Sequence, residues 1–209
     1  KAVAYPFAIH VPIASLSLVS PLLGWPLILL PSHIAVLEMI IDPACGLIFE
    51  GTPEEPHIMS RPPRPVSQRM VTGPVLFLSI LQGAMVLVGC VCEYYFAASR
   101  GYSTERLRAL VFSTLVFANL GLIIVSRSWT ETALRTLWQA GWVLWALVGG
   151  TVGLGLLVLY VPFLQRLFSL APLPWFDGLW ALLFAAGSVI WFEPLKLVWR
   201  KRLQKARSA

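Results

Sequence analysis

Long apolar runs are the feature that most constrains the fold of this chain. Six stretches, each close to the roughly 20 residues that a helix needs to cross a bilayer, follow one another along the sequence. The run 142–161 is apolar on every face, whereas strands of a membrane β-barrel alternate between apolar and polar residues. Backbone groups in hydrocarbon must be paired within their own segment, so we predict an all-α fold, a polytopic transmembrane helix bundle of six spans. The predicted spans are 4–23, 31–49, 72–97, 107–126, 139–161 and 175–195.

Composition and charge agree with a membrane protein. Charged residues make up 12% of the chain, against about 25% in a typical soluble domain, too few to cover a water-facing surface. With the N-terminus inside, most Lys and Arg residues fall in cytoplasmic segments, so the positive-inside rule predicts that both ends are cytoplasmic, in the plasma (inner) membrane. The net charge of +6 then reflects topology and attraction to anionic lipid. We expect the lipid bilayer as a partner and no nucleic acid.

Four regions are predicted along the chain. A helix pair is predicted at 1–50, and a proline-rich cytoplasmic loop at 51–71. A four-helix membrane support domain follows at 72–195, with a basic cytoplasmic tail at 196–209. The chain opens at Lys1 without an initiator Met or a signal peptide, which is typical of a piece of a longer protein.

Two acidic residues in the second span are the main candidates for function. Glu38 and Asp42 each cost roughly 2.5–3.5 kcal/mol at mid-membrane on insertion scales, so such residues usually have a use. Their i, i+4 spacing places both carboxylates on one helix face, where they can converge on one cation. Pro43 disrupts the helix beside them and frees backbone carbonyls, which favours an all-oxygen site for a hard cation. Structural hydrogen bonding to neighbouring helices is the alternative.

His10 in the first span is a weaker candidate. It lies two residues before Pro12, which leaves the Ala8 carbonyl without its helical partner. A ligand or proton-relay role is one interpretation. The other is that a neighbouring hydroxyl or carbonyl satisfies the ring.

Two further expectations concern packing. The small-xxx-small pair Gly149 and Gly153 in the fifth span indicates close approach of another helix. Glu93 lies near a span end, where its carboxylate can reach interfacial water, and we expect a structural role for it.

A long motif after the second span resembles a known family. The run from Thr52 to Arg64, with Ile-Met-Ser-Arg-Pro-Pro-Arg at its end, is similar to the loop after the sixth membrane helix of calcium-pump-type P-type ATPases. Other segments also resemble that family, in its luminal turn and its last three helices: 23–26, 30–31, 116–119, 159–162 and 193–197. The resemblance covers nearly the whole chain, as family helices five to ten. It implies that the helix pair 1–50 is the transport core and that 51–71 is a cytoplasmic coupling loop.

The resemblance implies a pump that couples ATP hydrolysis, through an aspartyl-phosphate, to cation movement. The intact protein would be an ion-translocating ATPase, and ATP and Mg²⁺ would act only through its N-terminal and cytoplasmic domains. Those domains are missing from this sequence, so the remainder of the same pump is the expected partner.

The resemblance also assigns ligand positions. Glu38 and His10 stand where the family has liganding Asn residues, and Asp42 stands at its liganding Asp. Three other family ligands are replaced by apolar residues: Ile13, Ile41 and Val116. The resemblance therefore implies one divalent ion per cycle, calcium favoured, or a proton.

Other functions stay open. Within the same architecture the alternative is a proton or magnesium pump. A complete secondary transporter or channel is disfavoured because the sequence has no internal repeat. A membrane subunit without a site of its own is disfavoured by the paired carboxylates.

Overall fold

The computed structural model describes residues 4–43, 46, 73–127, 137–138 and 141–195, except the side chains of Ala4, Asp42 and Pro43. The bounds of seven helices follow from these residues: α1 Ala4–Leu22, α2 Pro31–Pro43, α3 Gly73–Ala98, α4 Thr104–Ser126, α5 Trp142–Tyr160, α6 Pro162–Phe168 and α7 Trp175–Ile190. The predicted coupling loop 51–71 and the basic tail 196–209 lie outside the described residues.

The prediction of an all-α transmembrane bundle is confirmed. Five helical segments are long and apolar enough to cross a membrane: Tyr5–Leu22, Gly73–Ala98, Thr104–Ser126, Trp142–Tyr160 and Trp175–Leu195. Each coincides with a predicted span to within a few residues. The remaining predicted span begins at Pro31 as expected and is described as a helix as far as Pro43. The short helix α6, between the last two spans, was not predicted.

Helix α4 forms the centre of the bundle. In its membrane-spanning window 83% of the residues are buried, against 28–39% in the other four long helices. A helix that is apolar on all sides and enclosed by its neighbours is a core element. Helices α1, α3, α5 and α7 all pack against α4, and α1 and α7 also pack along α3.

Helices α1 and α3 approach each other closely at Gly83. A Cβ atom at Gly83 would lie 2.5 Å from the Ala8 carbonyl oxygen and 2.6 Å from Val11 Cβ, so only glycine fits there. By contrast, no described atom lies within 4 Å of a Cβ placed at Gly149 or Gly153. The expectation that this glycine pair marks a close packing surface is therefore wrong for the described part of the chain.

The connections 23–30, 99–103 and 161–174 lie at one end of the bundle, which we call the connected end. His33 is fully buried there, and its Nε2 donates a hydrogen bond to the Phe168 carbonyl at 2.6 Å. Its Nδ1 accepts one from the Leu30 amide at 3.2 Å. Arg108 Nε donates to the Leu27 carbonyl at 2.8 Å, so the turn between α1 and α2 is fastened to both α4 and α6.

An ion pair with a buried carboxylate joins α4 and α7 at the same end. Arg106 Nε and Nη2 both lie 2.7 Å from Asp177 Oδ2, and the Tyr102 hydroxyl donates to Asp177 Oδ1 at 3.1 Å. The Asp177 side chain is only 4% exposed, so these donors compensate for its lost hydration. The Arg106 guanidinium also lies 3.8 Å from the centre of the Tyr102 ring.

Glu93 differs from its sequence expectation. Its side chain is fully buried in the packed interior instead of reaching interfacial water. It lies one turn from Gly89, where α3 packs against Phe184 and Ser188 of α7, and this packing excludes solvent from that face of α3.

The α1–α3 contact gives a test of the fold. We expect Gly83→Ala to lower stability by about 1–3 kcal/mol, because its Cβ would push α1 and α3 apart. The matched control, Gly149→Ala, should leave stability unchanged or raise it by up to about 1 kcal/mol through helix propensity. Thermal unfolding of the detergent-purified full-length protein measures both. Equal stability of the two variants would contradict the close approach at Gly83.

Candidate cation site

Two of the three predicted site residues come together between α1 and α2. His10 Nε2 lies 3.3 Å from Glu38 Oε1. Along the helix axes, His10 is roughly 18 Å from the end of α1 at Leu22, and Glu38 roughly 10 Å from the start of α2 at Pro31, at a rise of about 1.5 Å per residue. Both side chains therefore lie well inside a hydrocarbon core about 30 Å thick.

The orientation of the His10 ring is fixed by the backbone of its own helix. His10 Nδ1 is 2.7 Å from the Pro6 carbonyl oxygen. A carbonyl only accepts, so Nδ1 carries the hydrogen and donates it. The expected satisfaction of His10 by a neighbouring carbonyl thus holds for one nitrogen, while the other faces Glu38.

Asp42 is described only through its backbone. Both Glu38 and Asp42 belong to α2, and residues four apart lie on the same face of a helix, one turn from each other. The Asp42 side chain lies outside the described residues, so its approach to the pair stays a prediction. Among the described side chains, no group of three or more His, Cys, Asp or Glu residues gathers at one point.

This chain has apolar, buried side chains at three positions where the resembling family has further ligands. Ile13 is 5% exposed, Ile41 1% and Val116 4%, and all three belong to one hydrophobic cluster. Apolar side chains that line a protein interior offer no oxygen to a dehydrated cation. Next to the cluster, the Ala8 carbonyl that Pro12 leaves unpaired lies against Gly83 of α3.

The His10–Glu38 pair is accessible from one side. The His10 side chain is 52% exposed and that of Glu38 33%, in a bundle whose surface is otherwise largely apolar. Ionisable side chains at membrane depth almost always face protein or a water-filled cavity, so we expect protein or water, and not lipid, against this face of α1 and α2. The direct pairing of His10 with Glu38 was not predicted. The one sequence feature that could have indicated this pairing is that both residues stand at ligand positions of the resembling family.

Comparison with known proteins identifies the family. The family described as "Cation transporting ATPase, C-terminus" matches residues 26–198. The chain is 26% identical over 200 residues to "Calcium-transporting ATPase 1" of Yarrowia lipolytica, covering 94% of this chain and 21% of that protein. It is 30% identical over 208 residues to "Calcium-transporting ATPase type 2C member 2" of Mus musculus, covering 96% and 22% respectively.

A bacterial relative gives the same result. "Probable cation-transporting ATPase F" of Mycobacterium tuberculosis is 24% identical over 168 residues, which cover 80% of this chain and 18% of that protein. The chain thus spans about a fifth of the length of the curated relatives it matches. It belongs to the cation transporting ATPase C-terminus family, the C-terminal transmembrane region of P-type cation ATPases.

Proposed function

We propose that this chain is the transport part of an ATP-driven P-type pump that moves one divalent cation per cycle, with calcium as the leading cargo. The observation that carries the proposal is the approach of His10 to Glu38 at membrane depth, in a chain of this family. Phosphorylation, ATP and Mg²⁺ belong to parts of the intact protein outside this chain. Two relatives whose names include calcium transport support the choice of cargo.

Charge supports a divalent cargo. Glu38 and Asp42 together supply two negative charges on one face of α2, which matches one dication. An isolated carboxylate at this depth is costly, and a bound cation offsets that cost. Carbonyls freed near Pro43 add oxygen ligands of the kind that calcium prefers.

Burial supports a single ion. A second dication beside the first would meet Ile13, Ile41 and Val116, which are packed into the hydrophobic cluster. Dehydration of an ion against these side chains would not be compensated.

The proposed site is open on one side. His10 and Glu38 are exposed on the face that α1 and α2 present away from the described bundle. We place the remaining helices of the same pump against this face, where they would add ligands and exclude lipid. The loop 51–71 would then connect the transport helices to the phosphorylated domain on the cytoplasmic side, in the plasma membrane.

A proton or magnesium pump is the second candidate. The observation that favours a proton is the contact between an imidazole nitrogen and a carboxylate oxygen, two groups that can hold a proton between them. Magnesium is favoured only by the predicted oxygen ligands.

Asp42→Asn tests the ligand assignment. The amide keeps the shape and removes the charge, so we expect cation-dependent phosphorylation of the full-length pump to need at least about 100-fold more cation. Glu105→Gln is the matched control, because Glu105 is an exposed carboxylate at the connected end. Phosphoenzyme formation from ATP across a cation series measures both. An unchanged cation dependence in Asp42→Asn would exclude Asp42 as a ligand.

Stoichiometry is the second test. Equilibrium binding of labelled calcium to the purified full-length pump should give one ion per phosphorylation site, because the apolar cluster fills the space beside the first. Two ions per site would contradict the single-site proposal. Saturable phosphorylation without any bound calcium would support the proton or magnesium alternative.

Topology is the third test. In a cysteine-free background, Ser60→Cys should react with a membrane-impermeant reagent only from the cytoplasmic side, because the positive-inside rule places this loop there. Ser99→Cys, exposed at the connected end, is the control and should react only from the opposite side. Labelling of both positions from one side would overturn the proposed orientation.

A further inference from the structure

The two histidines of the described bundle have opposite hydrogen-bonding patterns. His33 is fully buried, and each of its ring nitrogens has a backbone partner. His10 has a backbone partner for Nδ1 only, and its side chain is half-exposed. His33 therefore has a complete structural explanation, whereas Nε2 of His10 does not.

The contact between His10 and Glu38 requires a positive centre. With the hydrogen on Nδ1, a neutral imidazole presents a lone pair at Nε2. The Glu38 carboxylate also presents lone pairs, and the two atoms are only 3.3 Å apart. Two acceptors this close repel each other unless a proton or a metal ion lies between them.

The separation suits two ligands of one metal ion. Two donor atoms that each lie about 2.1 Å from one ion are about 3.0 Å apart at a right angle and about 3.4 Å apart at a tetrahedral angle. The observed 3.3 Å falls within this interval. The Nδ1 hydrogen bond to a backbone carbonyl is also the support that metal-binding histidines usually have, because it fixes the tautomer and the ring orientation.

We propose that His10 binds the transported cation directly through Nε2 and that it shifts the selectivity of the site from calcium toward borderline transition-metal dications such as Zn²⁺ and Co²⁺. This inference rests on the proposed function of the same site. Calcium and magnesium prefer oxygen ligands only, whereas imidazole nitrogen suits the later first-row metals. His10 Nε2 from α1 and the Glu38 carboxylate from α2 form a mixed donor set of that second kind.

The geometry gives each ligand a distinct task. Glu38 supplies charge and an oxygen from the middle of α2. His10 supplies no charge, so its contribution is to the kind of ion that binds more than to whether a dication binds. Replacement of His10 by an amide, which offers an oxygen, should therefore affect Zn²⁺ and Co²⁺ strongly and Ca²⁺ little.

Cation selectivity of the full-length pump tests the inference. The measurement is the concentration of Zn²⁺, Co²⁺ or Ca²⁺ that half-saturates phosphoenzyme formation, together with equilibrium binding of each ion. We expect the wild type to bind Zn²⁺ and Co²⁺ at the same site as Ca²⁺. His10→Asn should lower the ratio of Zn²⁺ to Ca²⁺ affinity at least about tenfold, with Ca²⁺ affinity changed less than about threefold. Glu105→Gln should leave the ratio unchanged.

A spectroscopic readout separates direct binding from an indirect effect of His10. Mn²⁺ serves as a paramagnetic probe, and pulsed electron paramagnetic resonance detects coupling to a coordinated imidazole nitrogen. This coupling should be present in the wild type and in Glu105→Gln, and lost in His10→Asn. Nitrogen coupling that persists in His10→Asn, or is absent from wild-type protein with bound Mn²⁺, would overturn the inference.

The outcomes separate this inference from the proposed function. Calcium-dependent phosphorylation with the same metal selectivity in wild type and His10→Asn would overturn the role of His10 and leave the divalent-cation pump intact. Failure of every dication to bind or to support phosphorylation would overturn both and point to a proton as the occupant of the pair.

Discussion

The absence of water from the bilayer core is the constraint on which the rest of this structure depends. Each backbone amide in hydrocarbon has to be paired within its own segment, and the described chain meets this demand with helices. Helix α1 contains Pro12, which cannot donate, so the Ala8 carbonyl loses its usual partner. That carbonyl lies against Gly83 of α3, and two residues further along α1 His10 faces Glu38. The candidate site is therefore built where the regular hydrogen bonding of a membrane helix is interrupted.

The connected end of the bundle restrains the helices that carry the site. His33 and Arg108 fasten the turn between α1 and α2 to α6 and α4, and Trp25 of the same turn stacks on Tyr94 of α3 with ring centres 4.0 Å apart. These contacts combine hydrogen bonds to backbone carbonyls with aromatic packing, and together they hold the turn on three other elements. A change in the separation of His10 and Glu38 would thus have to come from the opposite halves of α1 and α2, toward the predicted coupling loop.

The sequence predicted the spans well and the contacts between them poorly, for physical reasons. Apolar length determines where a helix can cross a bilayer, so span positions agree to within a few residues. Helix α4 begins at Thr104, three residues before its predicted span, because the Ser103 side chain caps its first turn by accepting from the Arg106 amide. A hydropathy profile does not detect such a cap. Nothing in the local sequence distinguishes Gly83 from Gly149. Only the arrangement of the neighbouring helices determines that Gly83 is closely packed and Gly149 is not.

The candidate site residues stand out in the sequence by their chemistry and stay predictions, whereas the contact between His10 and Glu38 could not be predicted. A carboxylate within an apolar span is conspicuous, so Glu38 and Asp42 could be singled out without a structure. His10 could not be assigned between a satisfied ring and a ligand, because the deciding fact is the partner of each nitrogen. That fact depends on where the fold places α2 relative to α1, which no local pattern encodes.

The exposure of the His10–Glu38 pair sets it apart from the rest of the bundle surface. The surface of the described bundle consists mainly of large apolar side chains, such as Leu18, Phe77 and Trp145, which suit contact with lipid. The half-exposed His10–Glu38 pair is a polar interruption of that surface at membrane depth. Hydrocarbon against it would leave two lone-pair donors without water or cation, which is costly. This exposure supports the proposal that the pair is half of a cation site, in which α1 and α2 would supply the ligands of one side and another segment of the pump those of the other.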